Sequence, residues 1–333
     1  MLVKHRRLYA LTVREVVRHS AVLLTAVADA IFSQLRSCPF YKGRDLLNIK
    51  FMQEFYAKEV PYTIIKSNDV SVPPVPYLRD SSGNRTMICV SPHHGRSYIV
   101  SKKDGRYIVS KGNGLSYTQY SHVHSGEFDD YTWGILLKDE AVRDFEIGIE
   151  VHDLGIKTNI MQYVIRLENE ILLTNGHVLT PVLLQYSVEC PYRICDAAYM
   201  PKDEIWRQVA SWEQYNKNGY SKSYLIAAEV LVNNLKTLHG NKILHNAIHP
   251  QNYTWALELL DFEISCSPKH PYSTKEESHI VKDLFPREII QTYDVINHIA
   301  SCLNETINDV ELEDLFWRYG FDIKNCCSAY EHS

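Results

Sequence analysis

The spacing of apolar residues changes along this chain from a strand period to a helix period, and this change constrains the fold most strongly. Two strand-like runs lie within residues 97–109, and the Asp-Gly pair at 104–105 between them predicts a tight hairpin turn. Over 137–154 the apolar residues recur at helical spacing, and Gly155 follows as a C-terminal cap. Beyond Pro201 the chain is largely helical. This order, with strand-like segments first and helical segments later, predicts an α+β protein whose sheet precedes its main helices.

The same pattern divides the chain into four parts. Residues 1–66 are predicted to form an N-terminal helical extension. Its first 36 residues are predicted to hold an amphipathic helix packed on the body, and an organelle-targeting or surface-binding basic helix is the alternative. Residues 67–86 contain three prolines and a Ser-Ser-Gly-Asn run, which predict an exposed linker. Residues 87–189 are predicted to be the β-rich part and residues 190–333 the helical part.

Composition narrows the class of protein. The chain has 333 residues, is 45% hydrophobic and carries a net charge of −5, which is typical of a globular protein and argues against binding to nucleic acid. No apolar run approaches the roughly 20 residues that span a bilayer. None of the eight cysteines forms a C-x-x-C pair, so we expect reduced thiols and a cytoplasmic location.

The most informative segment for chemistry is residues 244–252, Leu-His-Asn-Ala-Ile-His-Pro-Gln-Asn, with Asp261 nine residues further on. The amide oxygen of Asn252 and the carboxylate of Asp261 are hard ligands that would hold a divalent metal on a phosphate chain from two directions. The pattern resembles the catalytic loop and metal-binding motif of the protein-kinase-like superfamily. It implies a two-lobed fold, in which residues 87–189 and 190–333 are the small and large lobes.

Chemistry of this kind also needs a basic residue on a small-lobe strand, held by an acid on the next helix. Lys111 ends the strand 106–110, and the following helix carries Glu140 and Asp144 on one face. Asp144 is the first candidate for the partner of Lys111, and Glu140 is the second.

A closer resemblance is to the selenoprotein O family. It is based on the Asp-Gly-Arg run at 104–106, the Lys-Gly-Asn-Gly run at 111–114, the Val-Arg-Asp-Phe run at 142–145 and the Leu-Gly-Ile-Lys-Thr run at 154–158, together with the spacing from Asn252 to Asp261. It covers roughly residues 93–265. Family members bind ATP inverted in a kinase-like cleft and transfer AMP to protein hydroxyls.

Carried over residue by residue, the resemblance implies a nucleotide site. Lys111 and Gly112 would lie at the phosphates, Asp144 would hold Lys111, and Asn252 and Asp261 would bind Mg²⁺ or Mn²⁺. Arg193 sits close to one of two arginines that the family uses on the phosphates, whereas the other position carries Gln185.

The expected proton acceptors are missing from the loop. Gln251 and Ala247 stand where the family and ordinary kinases have aspartates, and His249 is the nearest substitute. His245 is predicted to be a core residue that braces the loop. Three functions follow: a protein adenylyltransferase that uses ATP and a protein substrate, a pseudokinase that binds nucleotide or a protein partner, and a phosphotransferase.

Overall fold

The computed structural model describes residues 52–68, 74, 76–79, 84–89, 97–112, 136–168, 170–172, 178–198, 200–271 and 275–330. The chain divides into two units, Met1–Ile49 and Lys50–Ser333, and every described residue belongs to the second. Its described part combines antiparallel strands with helices and is therefore α+β, as the sequence predicts.

Ten strands form three antiparallel sheets within the described residues. The bounds are β1 Met52–Glu59, β2 Tyr62–Ser67, β3 Tyr77–Arg79, β4 Asn84–Cys89, β5 Ser97–Lys103, β6 Arg106–Lys111, β7 Ile160–Leu167, β8 Ile171–Leu172, β9 Val178–Leu179 and β10 Val182–Val188. The main sheet has the order β2-β7-β10-β6-β5; β3-β1-β4 and β8-β9 are the smaller ones.

The β5–β6 hairpin confirms the predicted turn. Lys103 pairs with Arg106, so Asp104 and Gly105 alone form the loop, with φ of 50° and 79°. Positive φ at both loop residues suits the twist of paired strands, and Asp and Gly tolerate it better than other residues. After the hairpin, β6 ends at Lys111, whose side chain is buried.

Six α-helices occur in the described residues: α1 Lys138–Asp153, α2 Lys202–Ser211, α3 Ser223–Gly240, α4 Lys275–Cys302, α5 Asp309–Arg318 and α6 Ile323–Tyr330. Helix α1 ends where predicted, with Gly155 at φ 78° just beyond it. It packs on β7 and β10. Ser273 and Thr274, each with a glutamate three residues on, predict a capping box for a helix, and both positions lie outside the described residues.

Apolar side chains are buried on both faces of the main sheet. Val164 on β7 belongs to the large core with α1 and the later helices, whereas its neighbours Tyr163 and Ile165 belong to a smaller cluster with Val60. Successive strand residues point to opposite faces, which explains this division. A sheet covered on both sides holds β6 and β10 firmly where they reach the candidate site.

The predicted helical extension is wrong over residues 52–66, since β1 and β2 occupy most of this range. Aromatic and β-branched residues are frequent there and favour strands, and β2 adds to the main sheet beside β7. The 67–86 linker also contains β3 and the first residues of β4. Residues 1–51 lie outside the described part. No helix in the described ranges is long and apolar enough to cross a membrane.

Candidate functional site

The last residue of β6 lies at the centre of a buried charge cluster. Lys111 Nζ lies 2.9 Å from Asp144 Oδ2 on α1, 2.7 Å from Asp261 Oδ1 and 3.1 Å from Glu263 Oε2. Only 2% of the Lys111 side chain is exposed. The predicted Lys111–Asp144 ion pair is therefore present, and Asp261 joins it from a segment 150 positions away in sequence.

Asp144 connects α1 to the backbone beside Asp261. Its second oxygen, Oδ1, accepts the N–H of Phe262 at 2.9 Å. Burial raises the pKa of Asp144 above its usual value; Lys111 opposes this rise, and the charges of Asp261 and Glu263 add to it. The carboxyl group thus positions two segments at once, on a helix and on a loop.

Two other acids on α1, Glu140 and Glu146, make other contacts. Glu140 Oε2 accepts the N–H of Leu137 at 3.3 Å, which caps the first turn of the helix. Glu146 lies 2.6 Å from Lys66 Nζ and 3.3 Å from His270 Nδ1. Of the two candidates from the sequence, the first, Asp144, is the one in contact with Lys111.

His245 braces the loop, as predicted. Its Nδ1 accepts the N–H of Ala247 at 3.3 Å, so the neutral ring carries its proton on Nε2 and donates it to Leu260 O at 2.8 Å. The ring packs edge-on against Phe262, with centroids 5.1 Å apart. Burial lowers the pKa of His245 from its usual value, which keeps the ring neutral in this bracing role.

Asn252 and Arg193 meet on the floor of the site. Asn252 Nδ2 donates to Ala247 O at 2.9 Å, and its Oδ1 lies 3.3 Å from Arg193 Nη1, which also donates to Gln251 O at 2.6 Å. The backbone carbonyl of Asn252 accepts a hydrogen bond from the N–H of Leu260, and Asp261 is the next residue after this contact. Because the amide oxygen of Asn252 faces a guanidinium, a cation beside it would be repelled.

The two remaining positions from the resemblance have structural roles. Gly112 has φ 100°, and a Cβ there would lie 2.6 Å from the carbonyl oxygen of Val182, so only glycine fits. Gln185 pairs with Ser110, the residue before Lys111, and therefore points to the opposite face of the sheet from Lys111. It donates to Gln162 at 3.3 Å. Gln185 thus lies on the sheet face opposite to Lys111.

The geometry around the missing base weighs against His249 as its substitute. The ring is exposed, and Nδ1 accepts the N–H of Gln251 at 3.3 Å, which begins the short helix Pro250–Asn252. In the neutral ring the proton is then on Nε2, so no lone pair remains to take a proton from a hydroxyl. The catalytic roles of His249 and Gln251 stay predictions.

A narrow cleft runs between the main sheet and this floor. Val109, Tyr186 and Val188 line it from the sheet face that carries Lys111, and Cys190, Arg193, Thr254 and Leu260 line it from the other side. The space in the cleft, including its open mouth, is about 390 Å³.

Sequence reasoning missed several residues that shape the site. Glu258 belongs to the loop that precedes Asp261, and its buried carboxylate accepts the backbone N–H of Glu189 at the end of the sheet. Glu288 on α4 accepts the N–H of Asn246 at 2.6 Å and contacts His239 at 2.9 Å. Arg143 donates to the carbonyls of Ser265 and His270. Only Arg143 and Glu263 had a sequence signal, because each adjoins a residue of a recognised motif.

The residues fit a hard divalent cation in part. One oxygen from each of Asp144, Asp261 and Glu263 lies within 4.8 Å of the others, and carboxylate oxygens are the ligands that Mg²⁺ prefers. Asp144 is the least suited of the three, since it is almost fully buried and both its oxygens have donors. Asp261 and Glu263, which reach solvent, are the better ligands.

Comparison with models of protein families finds no match, and no curated protein matches the sequence at a significant level. The resemblance to the selenoprotein O family therefore remains an inference from motifs.

Proposed function

We propose that this chain has a two-lobed, protein-kinase-like arrangement and binds a magnesium or manganese complex of ATP in the cleft, as a protein adenylyltransferase of selenoprotein O type. The observation that carries the proposal is the contact of Lys111 with both Asp144 and Asp261. A strand, a helix and a loop from distant parts of the sequence supply these three side chains. This is the combination that positioning a phosphate chain requires.

The order of elements supports the arrangement. A five-stranded antiparallel sheet with α1 packed on it precedes the helices α2 to α6, and residues 189–193 connect the two. The cleft lies where this connection, the sheet and the loop before Asp261 meet. Nucleotide sites are commonly clefts of this kind, lined by apolar residues and a few charged groups.

In the proposed reaction, a protein hydroxyl oxygen attacks the α-phosphorus of ATP. The bond from that phosphorus to the bridging oxygen breaks, pyrophosphate leaves, and the hydroxyl proton passes to solvent. Lys111 and Arg193 would bind the phosphates, and Asp261 and Glu263 would hold the metal, which supplies charge neutralisation. Neither Ala247 nor Gln251 can accept the proton, so positioning and charge would supply the rate enhancement.

A second candidate function is that of a pseudokinase that binds nucleotide, or a protein partner, without catalysis. Ala247 and Gln251 favour it, because neither side chain can accept a proton. A phosphotransferase ranks third, since it depends most on the acid that Ala247 replaces.

Incubation with Mg²⁺ or Mn²⁺ and ATP labelled at either the α- or the γ-phosphate separates the three functions. Protein-bound label from the α-position alone indicates AMP transfer, and label from the γ-position alone indicates a kinase. Binding without transfer indicates a pseudoenzyme. Asp261→Ala should abolish the metal-dependent signal, whereas Glu170→Gln, a change at an exposed acid, should keep it. A folded protein that neither binds nucleotide nor transfers label would refute the proposal.

A further inference from the structure

Glu263 is the least expected member of the charge cluster. It follows the Asp261-Phe262 pair, and its Oε2 lies 3.1 Å from Lys111 Nζ. Three carboxylates thus surround one ammonium group. When all four groups are ionised, the cluster carries an excess of negative charge, which repels the phosphates that Lys111 is expected to bind.

The three carboxylates differ in how freely they can move away. Asp144 is 1% exposed and is fixed by the N–H of Phe262, whereas 11% of Asp261 and 17% of Glu263 are exposed. Asp261 and Glu263 are therefore the two carboxylates with side-chain surface open to solvent. Of these two, Glu263 has the longer side chain and the longer contact with Lys111, 3.1 Å against 2.7 Å, so it is the one that a phosphate would displace.

We propose that Glu263 occupies the position of a phosphate group on Lys111 and thereby makes nucleotide binding depend on a divalent cation. The inference rests on the proposed nucleotide site and deepens it. A cation brought with the nucleotide pairs with Glu263 and Asp261, which releases Lys111 for the phosphate. Without the cation, the phosphate and Glu263 compete for one ammonium group, and the free nucleotide is excluded.

The test compares the affinity for ATP in excess Mg²⁺ with that in excess EDTA, by calorimetry or by displacement of a fluorescent nucleotide. We expect the wild-type chain to bind ATP only with Mg²⁺. Glu263→Gln keeps the shape of the side chain and removes its charge. It should strengthen binding in EDTA by roughly tenfold to a hundredfold, the size expected for one charge removed at close range in a partly buried site.

Two controls make the result specific. Glu170→Gln removes one negative charge from an exposed position and should leave the gap between Mg²⁺ and EDTA unchanged. Thermal unfolding of each variant checks that it folds, and Glu263→Ser serves if the glutamine variant does not. Inorganic tripolyphosphate, which has no base, should show the same change as ATP, because the inference concerns phosphate alone.

The outcomes distinguish this inference from the function on which it rests. If the wild-type chain binds ATP equally in Mg²⁺ and EDTA, or if Glu263→Gln leaves the gap unchanged, Glu263 has no such role and the nucleotide site stands. If no variant binds ATP or tripolyphosphate under any condition, both the nucleotide site and the role of Glu263 are overturned.

Discussion

Glu258 offers the sharpest test of how the sheet is joined to the rest of the molecule. Its side chain has no exposed surface, and its carboxylate accepts hydrogen bonds from the backbone N–H groups of Glu189 and Cys190 at the end of β10. Arg106 Nη2 donates to it at 2.8 Å and Thr254 Oγ1 at 3.1 Å. One carboxylate thus holds β6, the connecting segment and the loop before Asp261 together.

The cost of Glu258→Gln follows from these four donors. The amide replaces one acceptor oxygen by a donor, so at least one buried N–H or the guanidinium of Arg106 faces another donor. An unsatisfied buried donor costs about 1–3 kcal/mol, and breaking a buried ion pair about 3–5 kcal/mol. Burial raises the pKa of Glu258, while Arg106 lowers it, so removing the charge also relieves a desolvation penalty. We expect a net loss of about 3 kcal/mol in the free energy of unfolding.

Urea unfolding at pH 7 measures this loss. Trp212 and Trp255 are buried and stacked, with ring centroids 5.9 Å apart, and Trp255 lies in the same loop as Glu258, so tryptophan fluorescence reports on this region. Glu170→Gln, at an exposed acid, should change the free energy of unfolding by less than about 0.5 kcal/mol. A loss below about 1 kcal/mol for Glu258→Gln would refute the view that this carboxylate joins the three segments.

Three further predictions concern single residues. Burial lowers the pKa of His245 below 6.5, so this side chain binds a proton more readily in the unfolded chain than in the folded one. Its contribution to stability is therefore complete above pH 6.5 and is lost as the pH falls through the lowered pKa. In that range, His245→Gln should reduce the change of the free energy of unfolding with pH by up to about 1.4 kcal/mol per pH unit. His152→Gln, at an exposed site, should keep the wild-type slope, and equal slopes for the two variants would contradict the prediction. Burial raises the pKa of Cys302 from 9.0 to about 11, so mass spectrometry after iodoacetamide at pH 8 should find it labelled about a hundredfold more slowly than an ordinary thiol; equal rates would be evidence against its burial. Gly112→Ala should destabilise the fold by roughly 2–4 kcal/mol in urea unfolding, because it combines a positive φ with a contact to a carbonyl oxygen; a neutral result would show that β6 ends differently.

The parts of the fold that the sequence predicted are those with strong local signals. The Asp104-Gly105 turn and the apolar period of α1 with its terminal glycine are decided by residues close in sequence. The strands β1 and β2 were missed because a mixed N-terminal segment was extended too far as a helix. Their pairing depends on β4 and β7, which are distant in sequence and give no local sign.

The candidate site shows the same division. Lys111, Asp144 and Asp261 were predicted from the spacing of motifs in the sequence, and the structure brings these three side chains into contact. Glu258 and Glu288 were missed because nothing local marks them: an acid in a loop or on a helix usually reads as a solvated residue. Their role depends on backbone N–H groups far away in sequence, at 189–190 and 246, which only the folded chain brings near.

The loop that carries Ala247 and Gln251 is held by contacts that do not depend on these two side chains. His245, Glu288 and Asn252 hold the loop through backbone groups and amides, and none of these contacts involves the side chains at 247 and 251. Substitution at those two positions is therefore not expected to loosen the loop. In the proposed function, affinity for the phosphates would depend on the Lys111 cluster, where three carboxylates surround one ammonium group. A change in the charge of Glu263 would then alter nucleotide binding while the contacts that hold the loop stay in place.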